Sequence, residues 1–258
     1  MKYLWEDPDV LKVIAANQKV SLFLDYDGTL TPITETPEKA QLSLTTKHEL
    51  QMLSQITKYQ VTIISGRALE NVRHLVGIDG INYVGNHGYE IMLPGVEVGS
   101  LATHEYYELL ERLKNEISQK LAEFPGAFIE DKGVTISVHY RQVSFDQAVV
   151  VEHALYRIAQ GYFDRNEVQI NLGKKVFEIR PPLDWNKGKA VLWILERQKG
   201  FPVYIGDDTT DEDAFLAIKG MGITVYVGKK DQASSCAQYY LNNTGEVIKF
   251  LEYLREAG

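Results

Sequence analysis

The sequence has a single cysteine, Cys236, among its 258 residues. That excludes an intrachain disulfide framework and a cysteine-rich zinc site. No run approaches the roughly 18 consecutive apolar residues of a membrane span. The opening stretch, MKYLWEDPDV, lacks the basic end and apolar segment of a secretory signal. Positive charge is in deficit: 27 Lys and Arg against 35 Asp and Glu give a formal net charge of −8. This argues against a nucleic-acid or anionic-membrane partner but leaves room for a local basic cluster around a small anion. Disorder is not indicated either, because 45% hydrophobic and 24% charged residues are ordinary globular values. At roughly 150 residues per domain, the length suggests one large domain or two modest ones, in a soluble, cytoplasmic protein.

Four short apolar runs, Val20–Leu24, Val61–Ile64, Pro202–Ile205 and Ile223–Val227, have the continuous character of parallel strands buried on both faces. Ile81–Val84 is a weaker fifth. Helical spacing over Thr45–Thr57, Leu69–Leu75 and Asp184–Gln198 alternates with them, which predicts an α/β core with a Rossmann-like parallel sheet. The middle of the chain changes rhythm. Helix-spaced His104–Phe124 precedes alternating Val134–Arg141; helix-spaced Phe145–Gln160 precedes Val168–Leu172 and Val176–Arg180, joined by a turn at Gly173–Lys175. Residues 102–182 are therefore expected to form an inserted α+β domain within a discontinuous core of residues 1–101 and 183–258.

The chemistry gathers at strand ends, where ligands bind in open parallel sheets. The first strand ends in Asp25-Tyr26-Asp27-Gly28-Thr29 and the fourth in Gly206-Asp207-Asp208-Thr209-Thr210-Asp211-Glu212-Asp213. An acidic helix start would explain some of the second group through the helix dipole, but not a second acid pair on another strand of the same sheet. Clustered carboxylates with few other donors suit Mg²⁺. The second strand ends in Ser65-Gly66-Arg67, a hydroxyl and a guanidinium suited to phosphate oxygens, and Lys187 begins a helix aimed at the same edge. These groups make up a phosphoryl-transfer set. Asp25 could attack phosphorus, Mg²⁺, Lys187 and Ser65 could offset the charge, and Asp27 could protonate the leaving alkoxide and then deprotonate water.

The four segments Asp25-Tyr26-Asp27-Gly28-Thr29, Ser65, Lys187 and Gly206-Asp207-Asp208 with Asp211 resemble, in order, the motifs of the haloacid dehalogenase-like phosphatases. That resemblance implies Asp25 as nucleophile, Asp27 as general acid and base, and Ser65 and Lys187 on the phosphoryl group. It also implies Mg²⁺ on Asp25, the Asp27 carbonyl and Asp207, supported by Asp208 and Asp211, and a type-2 cap between the second and third motifs. Further stretches, Leu24–Ile33, Ile64–Arg67, Gly85-Asn86-His87-Gly88-Tyr89-Glu90, Glu130-Asp131-Lys132, His139-Tyr140-Arg141, Glu178-Ile179-Arg180-Pro181 and Asn186-Lys187-Gly188, are similar to the trehalose-6-phosphate phosphatase family. The implied activity is Mg²⁺-dependent hydrolysis of trehalose 6-phosphate, the last step of trehalose biosynthesis, with any synthase on a separate protein.

In the inserted domain, a bulge or kink at Gly133 would flip strand parity and put Glu130 and Lys132 on the polar face with His139 and Arg141. Gln169, Asn171, Glu178 and Arg180 would share it. By the family resemblance, Glu130, Lys132, Arg141 and Glu178 are expected to contact the distal glucose, with Lys175 beside them. His87 either lines the substrate cleft or satisfies buried backbone groups. Cys236 has no base beside it in sequence. The alternatives are a phosphatase for sucrose 6-phosphate or mannosyl-phosphoglycerate, a sugar phosphomutase, and a catalytically silent sugar-phosphate-binding subunit.

Overall fold

The structure, a computed structural model, describes residues 1–34, 39–96, 100–229 and 234–258. In chain order the elements are β1 (Lys2–Tyr3), α1 (Pro8–Ala16), β2 (Val20–Asp25), α2 (Leu44–Gln55), β3 (Tyr59–Ile64), α3 (Leu69–Val76), β4 (Asn82–Gly85) and β5 (Glu90–Met92). Then come α4 (His104–Leu121), β6 (Phe128–Asp131), β7 (Ile136–His139), α5 (Phe145–Asp164), β8 (Gln169–Gly173) and β9 (Val176–Arg180). The chain closes with α6 (Lys187–Arg197), β10 (Phe201–Gly206), α7 (Asp211–Ala217), β11 (Ile223–Val227), β12 (Tyr239–Leu241) and α8 (Thr244–Ala257). Two compact units result, Met1–Gly99 with Trp185–Gly258, and Ser100–Asp184.

The first unit is an eight-stranded sheet in the order β1-β12-β11-β10-β2-β3-β4-β5, parallel except for β5. Alternate residues of each central strand face opposite layers. Leu22, Leu24, Val61, Ile63, Val203 and Ile205 pack with α1, α2, α3 and α8, whereas Phe23, Ile64 and Tyr204 pack with α6 and α7. Both faces are covered, which is why the strands read as unbroken apolar runs. From β2 the chain steps outward one way through β3 and β4, and from β10 the other way through β11 and β12. The direction of winding thus reverses between β2 and β10, and the adjacent carboxyl ends of those two strands form the crevice.

The second unit is an antiparallel sheet, β6-β7-β9-β8, with one face covered by α4 and α5. Ile136, Val138, Phe177 and Ile179 point into that layer. Register places Glu130 opposite Ser137, Ser137 opposite Glu178, and Glu178 opposite Asn171 on the other face. Parity does flip at Gly133, but through a reverse turn between two strands rather than a bulge within one. Gly133 has φ +78°, its N–H donates to Asp131 Oδ1, and the Lys132 N–H donates to the Thr135 carbonyl.

Candidate active site

β2 delivers Asp25 at its last position, and α6 delivers Lys187 at its first. The Asn186 side chain caps α6 by accepting from the Lys189 N–H at 2.9 Å, so the positive end of the helix dipole adds to the lysine charge beside Asp25. Gly188 allows this helix start to sit against α7: a Cβ there would lie 2.3 Å from the Asp213 carbonyl oxygen. Lys187 is 2% exposed, and its Nζ donates to Asp25 Oδ1 and to Asp211 Oδ1, each at 2.7 Å.

Asp211, fully buried at the start of α7, organises the acidic loop after β10. Its Oδ1 accepts from Lys187 and from the Tyr204 hydroxyl at 2.7 Å, and its Oδ2 from the Asp207 and Asp208 N–H groups at 3.0 and 3.1 Å. Four donors use the roughly four lone-pair positions of a carboxylate. Asp208 turns to the same helix start, where its Oδ1 accepts from the Thr210 N–H and hydroxyl at 2.8 and 2.7 Å and lies 4.0 Å from Lys187. Asp207 leans over Gly28, whose φ of +88° already favours glycine. A Cβ at Gly28 would lie 2.1 Å from Asp207 Oδ2.

One carboxylate oxygen from each of Asp25, Asp207 and Asp211 falls within 4.8 Å of the other two. Hard oxygen donors closing on one point suit a divalent cation. Because Asp211 is already saturated, Asp25 and Asp207 are the side chains with coordination to offer. The electrostatics agree, since one lysine faces four carboxylates. Burial pushes the Asp25 carboxyl well above its ordinary range; Lys187 opposes this, and Asp211, Asp207 and Asp208 reinforce it. Burial and the charges of Asp211 and Asp208 push Asp207 up to about 7. For Asp208, burial is outweighed by Lys187 and the Thr210 donors, and its carboxyl falls to about 2. Burial also opposes the Lys187 charge, but Asp211, Asp25 and Asp208 hold the ammonium well above its usual range.

A pH dependence follows for the cation-free protein. Asp207 titrates near 4 when unfolded and near 7 when folded, so the folded state binds the extra proton between these values. Stability from this group is full below about pH 4 and is lost as pH rises toward about 7. A cation at Asp25 and Asp207 would replace the proton. EDTA-treated protein is therefore expected to melt lower at pH 7.5 than at pH 5.5, and a divalent cation should raise the melting temperature more at pH 7.5. Equal cation-induced shifts at both pH values would contradict this electrostatic account.

After β3, Ser65 is 1% exposed and its Oγ accepts from the Arg67 N–H at 3.1 Å, so its own O–H is directed elsewhere. Arg67, expected on phosphate oxygens, closes its guanidinium fork on Asp27 instead, with Nε to Oδ2 at 2.7 Å and Nη2 to Oδ1 at 2.6 Å. His87 has φ +56° and braces this turn. Its N–H donates to the Ser65 carbonyl at 3.0 Å, and a Cβ on Gly66 would lie 2.5 Å from its ring.

In the second unit, Lys132 Nζ lies 3.8 Å from Glu130 Oε2 and 3.6 Å from Glu178 Oε1, and His139 Nε2 lies 2.8 Å from Glu130 Oε2. Arg141 and Lys175 lie just past the C-terminal end of β7, where the Tyr140 N–H donates to the Lys175 carbonyl and Arg141 reaches the Lys174 carbonyl at 3.5 Å. Sequence reasoning placed Arg180 on the polar sheet face without giving it a partner, and gave no role to Tyr204, Thr29 or Ser137. Tyr204 holds Asp211, and the Thr29 hydroxyl reaches Asp207 at 3.4 Å; the Arg180 Nε (2.6 Å) and the Ser137 hydroxyl (3.3 Å) hold Glu178. Tyr204 read as one more apolar strand residue, and only its hydroxyl hinted otherwise.

The parallel sheet, the inserted α+β unit and the acid pairs on adjacent strand ends have the fold of the haloacid dehalogenase-like hydrolases. A protein of that description from B. subtilis aligns with a TM-score of 0.57 at 14% identity, over 90% of this chain and 98% of that one. The C-terminal domain of C. albicans trehalose-6-phosphate phosphatase aligns with a TM-score of 0.81 at 26% identity, over 99% and 98% of the two chains. The family model described as Trehalose-phosphatase matches residues 23–244, and the chain belongs to the trehalose-phosphatase family. The trehalose-phosphate phosphatase of Mycobacterium tuberculosis is 33% identical over 261 residues, which cover 96% of this chain and 65% of that protein. The chain thus spans just under two thirds of the length of the mycobacterial relatives it matches.

Proposed function

We propose that this chain is a phosphoric monoester hydrolase that converts trehalose 6-phosphate to trehalose and phosphate through an aspartyl-phosphate at Asp25. The observation that carries the reading is the buried Lys187 bridging Asp25 and Asp211 beside Asp207, in a chain of the trehalose-phosphatase family. In the first step an Asp25 carboxylate oxygen attacks phosphorus, the bond from phosphorus to the sugar oxygen breaks, and Asp27 gives its proton to the departing alkoxide. In the second, Asp27 takes a proton from a water that attacks phosphorus, and the acyl phosphate is released as inorganic phosphate with Asp25 restored. Lys187 and the Ser65 hydroxyl hold phosphoryl oxygens. Mg²⁺, held by Asp25, the Asp27 carbonyl and Asp207, supplies the positive charge that lets a carboxylate meet a phosphate dianion.

The second unit acts in this proposal as a cap for substrate recognition. Glu130, Lys132, Arg141, Lys175 and Glu178 contact the distal glucose, whose hydroxyls need both donors and acceptors. Among the described residues no helix is long and apolar enough to cross a membrane. A cytoplasmic location, as the last step of trehalose biosynthesis after a separate synthase, completes the reading. The test is phosphate release with Mg²⁺ or EDTA from trehalose 6-phosphate, sucrose 6-phosphate, glucose 6-phosphate and mannosyl-phosphoglycerate. The expected result is Mg²⁺-dependent release with strong preference for trehalose 6-phosphate. Preference for another sugar would discard the cap contacts, and no release from any of them would discard the hydrolase.

A further inference from the structure

Arginine beside a phosphate-handling turn is ordinarily taken for an anion ligand, the role expected of Arg67 from its place after Ser65-Gly66. Its surroundings direct it elsewhere. The Nε and Nη2 bonds of its fork both go to the Asp27 carboxylate, in the two-point pairing that a guanidinium makes and an ammonium does not. The fork is itself held in place. Nη1 donates to Asn71 Oδ1 at 3.3 Å, the guanidinium lies over the Tyr26 ring at 5.3 Å, and the backbone is tied by its N–H to Ser65 Oγ and by its carbonyl to the Asn86 N–H at 2.7 Å. The Arg67 side chain is 11% exposed and that of Asp27 is 41% exposed. Asp27 follows β2, and the bend that carries it is closed by the Gly28 N–H donating to the Thr31 carbonyl at 2.7 Å. Arg67 is thus the more buried and more tightly tied member of the pair, and Asp27 is the more exposed partner it holds.

We propose that Arg67 is a positioning residue that fixes where the Asp27 carboxyl stands relative to the Asp25 side chain, so that its effect falls on proton delivery to the departing sugar oxygen rather than on phosphate binding. The inference rests on the reading of Asp27 as the acid. It separates two kinds of substrate. An alkoxide leaving group needs Asp27 in place, whereas 4-nitrophenolate leaves without a proton. It also separates lysine from arginine, since Arg67→Lys keeps the charge and loses the fork.

The experiment is single-turnover chemistry with enzyme in excess and Mg²⁺ present, following trehalose release from trehalose 6-phosphate and nitrophenolate release from 4-nitrophenyl phosphate. Arg67→Lys and Arg67→Ala are expected to slow trehalose release by about 10²-fold, the scale of loss when a reacting group is misplaced by about 1 Å. Nitrophenolate release should change little, and the enzyme concentration that gives half the maximal single-turnover rate should hold. Asp27→Asn should show the same contrast more strongly, and guanidinium added to Arg67→Ala should restore part of the trehalose rate. If nitrophenolate and trehalose release fall together, or if raising the enzyme to a saturating concentration restores Arg67→Lys, the arginine binds phosphate and the proposal is overturned. Absence of the contrast in Asp27→Asn would remove the acid reading and this proposal with it. Should the wild type prefer another sugar phosphate, only the substrate reading fails, and the contrast is read on that sugar instead.

Discussion

Asp25→Asn is expected to lower phosphate release by at least about 10⁴-fold, on the scale seen when a covalent nucleophile is removed, while leaving the protein folded. The amide keeps the shape of the carboxylate but has no anionic oxygen to bond to phosphorus. Lys187 loses one partner and keeps Asp211 at 2.7 Å, so no charge is left alone in the interior. Burial already opposes the Asp25 charge, and its removal relieves that cost. In EDTA the variant should melt no lower than wild type at pH 7.5, and divalent cations should raise its melting temperature less. Turnover within tenfold of wild type would place the nucleophile on another residue.

Lys187→Met should be strongly destabilising. It leaves Asp25 and Asp211, 5% and 0% exposed, facing each other without their shared cation. Breaking a buried ion pair by removing one partner costs about 3–5 kcal/mol. At about 2–4 °C per kcal/mol for a chain near this size, the melting temperature should fall by roughly 6–20 °C. Turnover should fall as well, by about 10²–10³-fold, because the proposed function gives this charge to the phosphoryl oxygens. The sign with pH is fixed: the unpaired carboxyls protonate more readily folded than unfolded, so the stability deficit should shrink on acidification. Adding Asp211→Asn to Lys187→Met should recover part of the loss. A Lys187→Met protein that melts like wild type would mean that the lysine is not buried between the acids.

Much of the core was legible because both faces of its sheet are covered. Ile223–Val227 was delimited as it stands in the structure, and Val20–Leu24 and Pro202–Ile205 lay within a residue of β2 and β10 at each end; in the second unit, whose sheet is covered on one face, alternation delimited Val176–Arg180. Helix ends were less legible. Asp184–Gln198 was read three residues too early because the Asn186 cap, a side-chain oxygen on an amide, makes no hydrophobic pattern. α1 and α8 went unread although both bury apolar faces, as did the two-residue β1, which is too short for any periodicity. In the site, residue type singled out Asp25 and Asp207, since carboxylates at strand ends are conspicuous in an apolar sheet, whereas Lys187 stood out only in their company. It could not foresee that the Arg67 fork would turn to Asp27, or that Asp211 would be saturated by two amides, a hydroxyl and an ammonium. Those facts depend on directions in space that spacing does not encode.

The insertion between β5 and α6 also sets an order in time. Asp25 and Lys187 are 162 positions apart, and Thr29 and Asp207 are 178 apart. A ribosome adding about 5–20 residues per second separates the emergence of the latter two by roughly 10–35 s. During that interval the edge of β2 destined for β10 is still open, a template for wrong pairing, and the whole Ser100–Asp184 unit is made before its partner strand arrives. A nascent chain halted within that unit carries the Asp25 carboxylate and none of its buried counter-charge, so the site exists only once synthesis has passed Asp211.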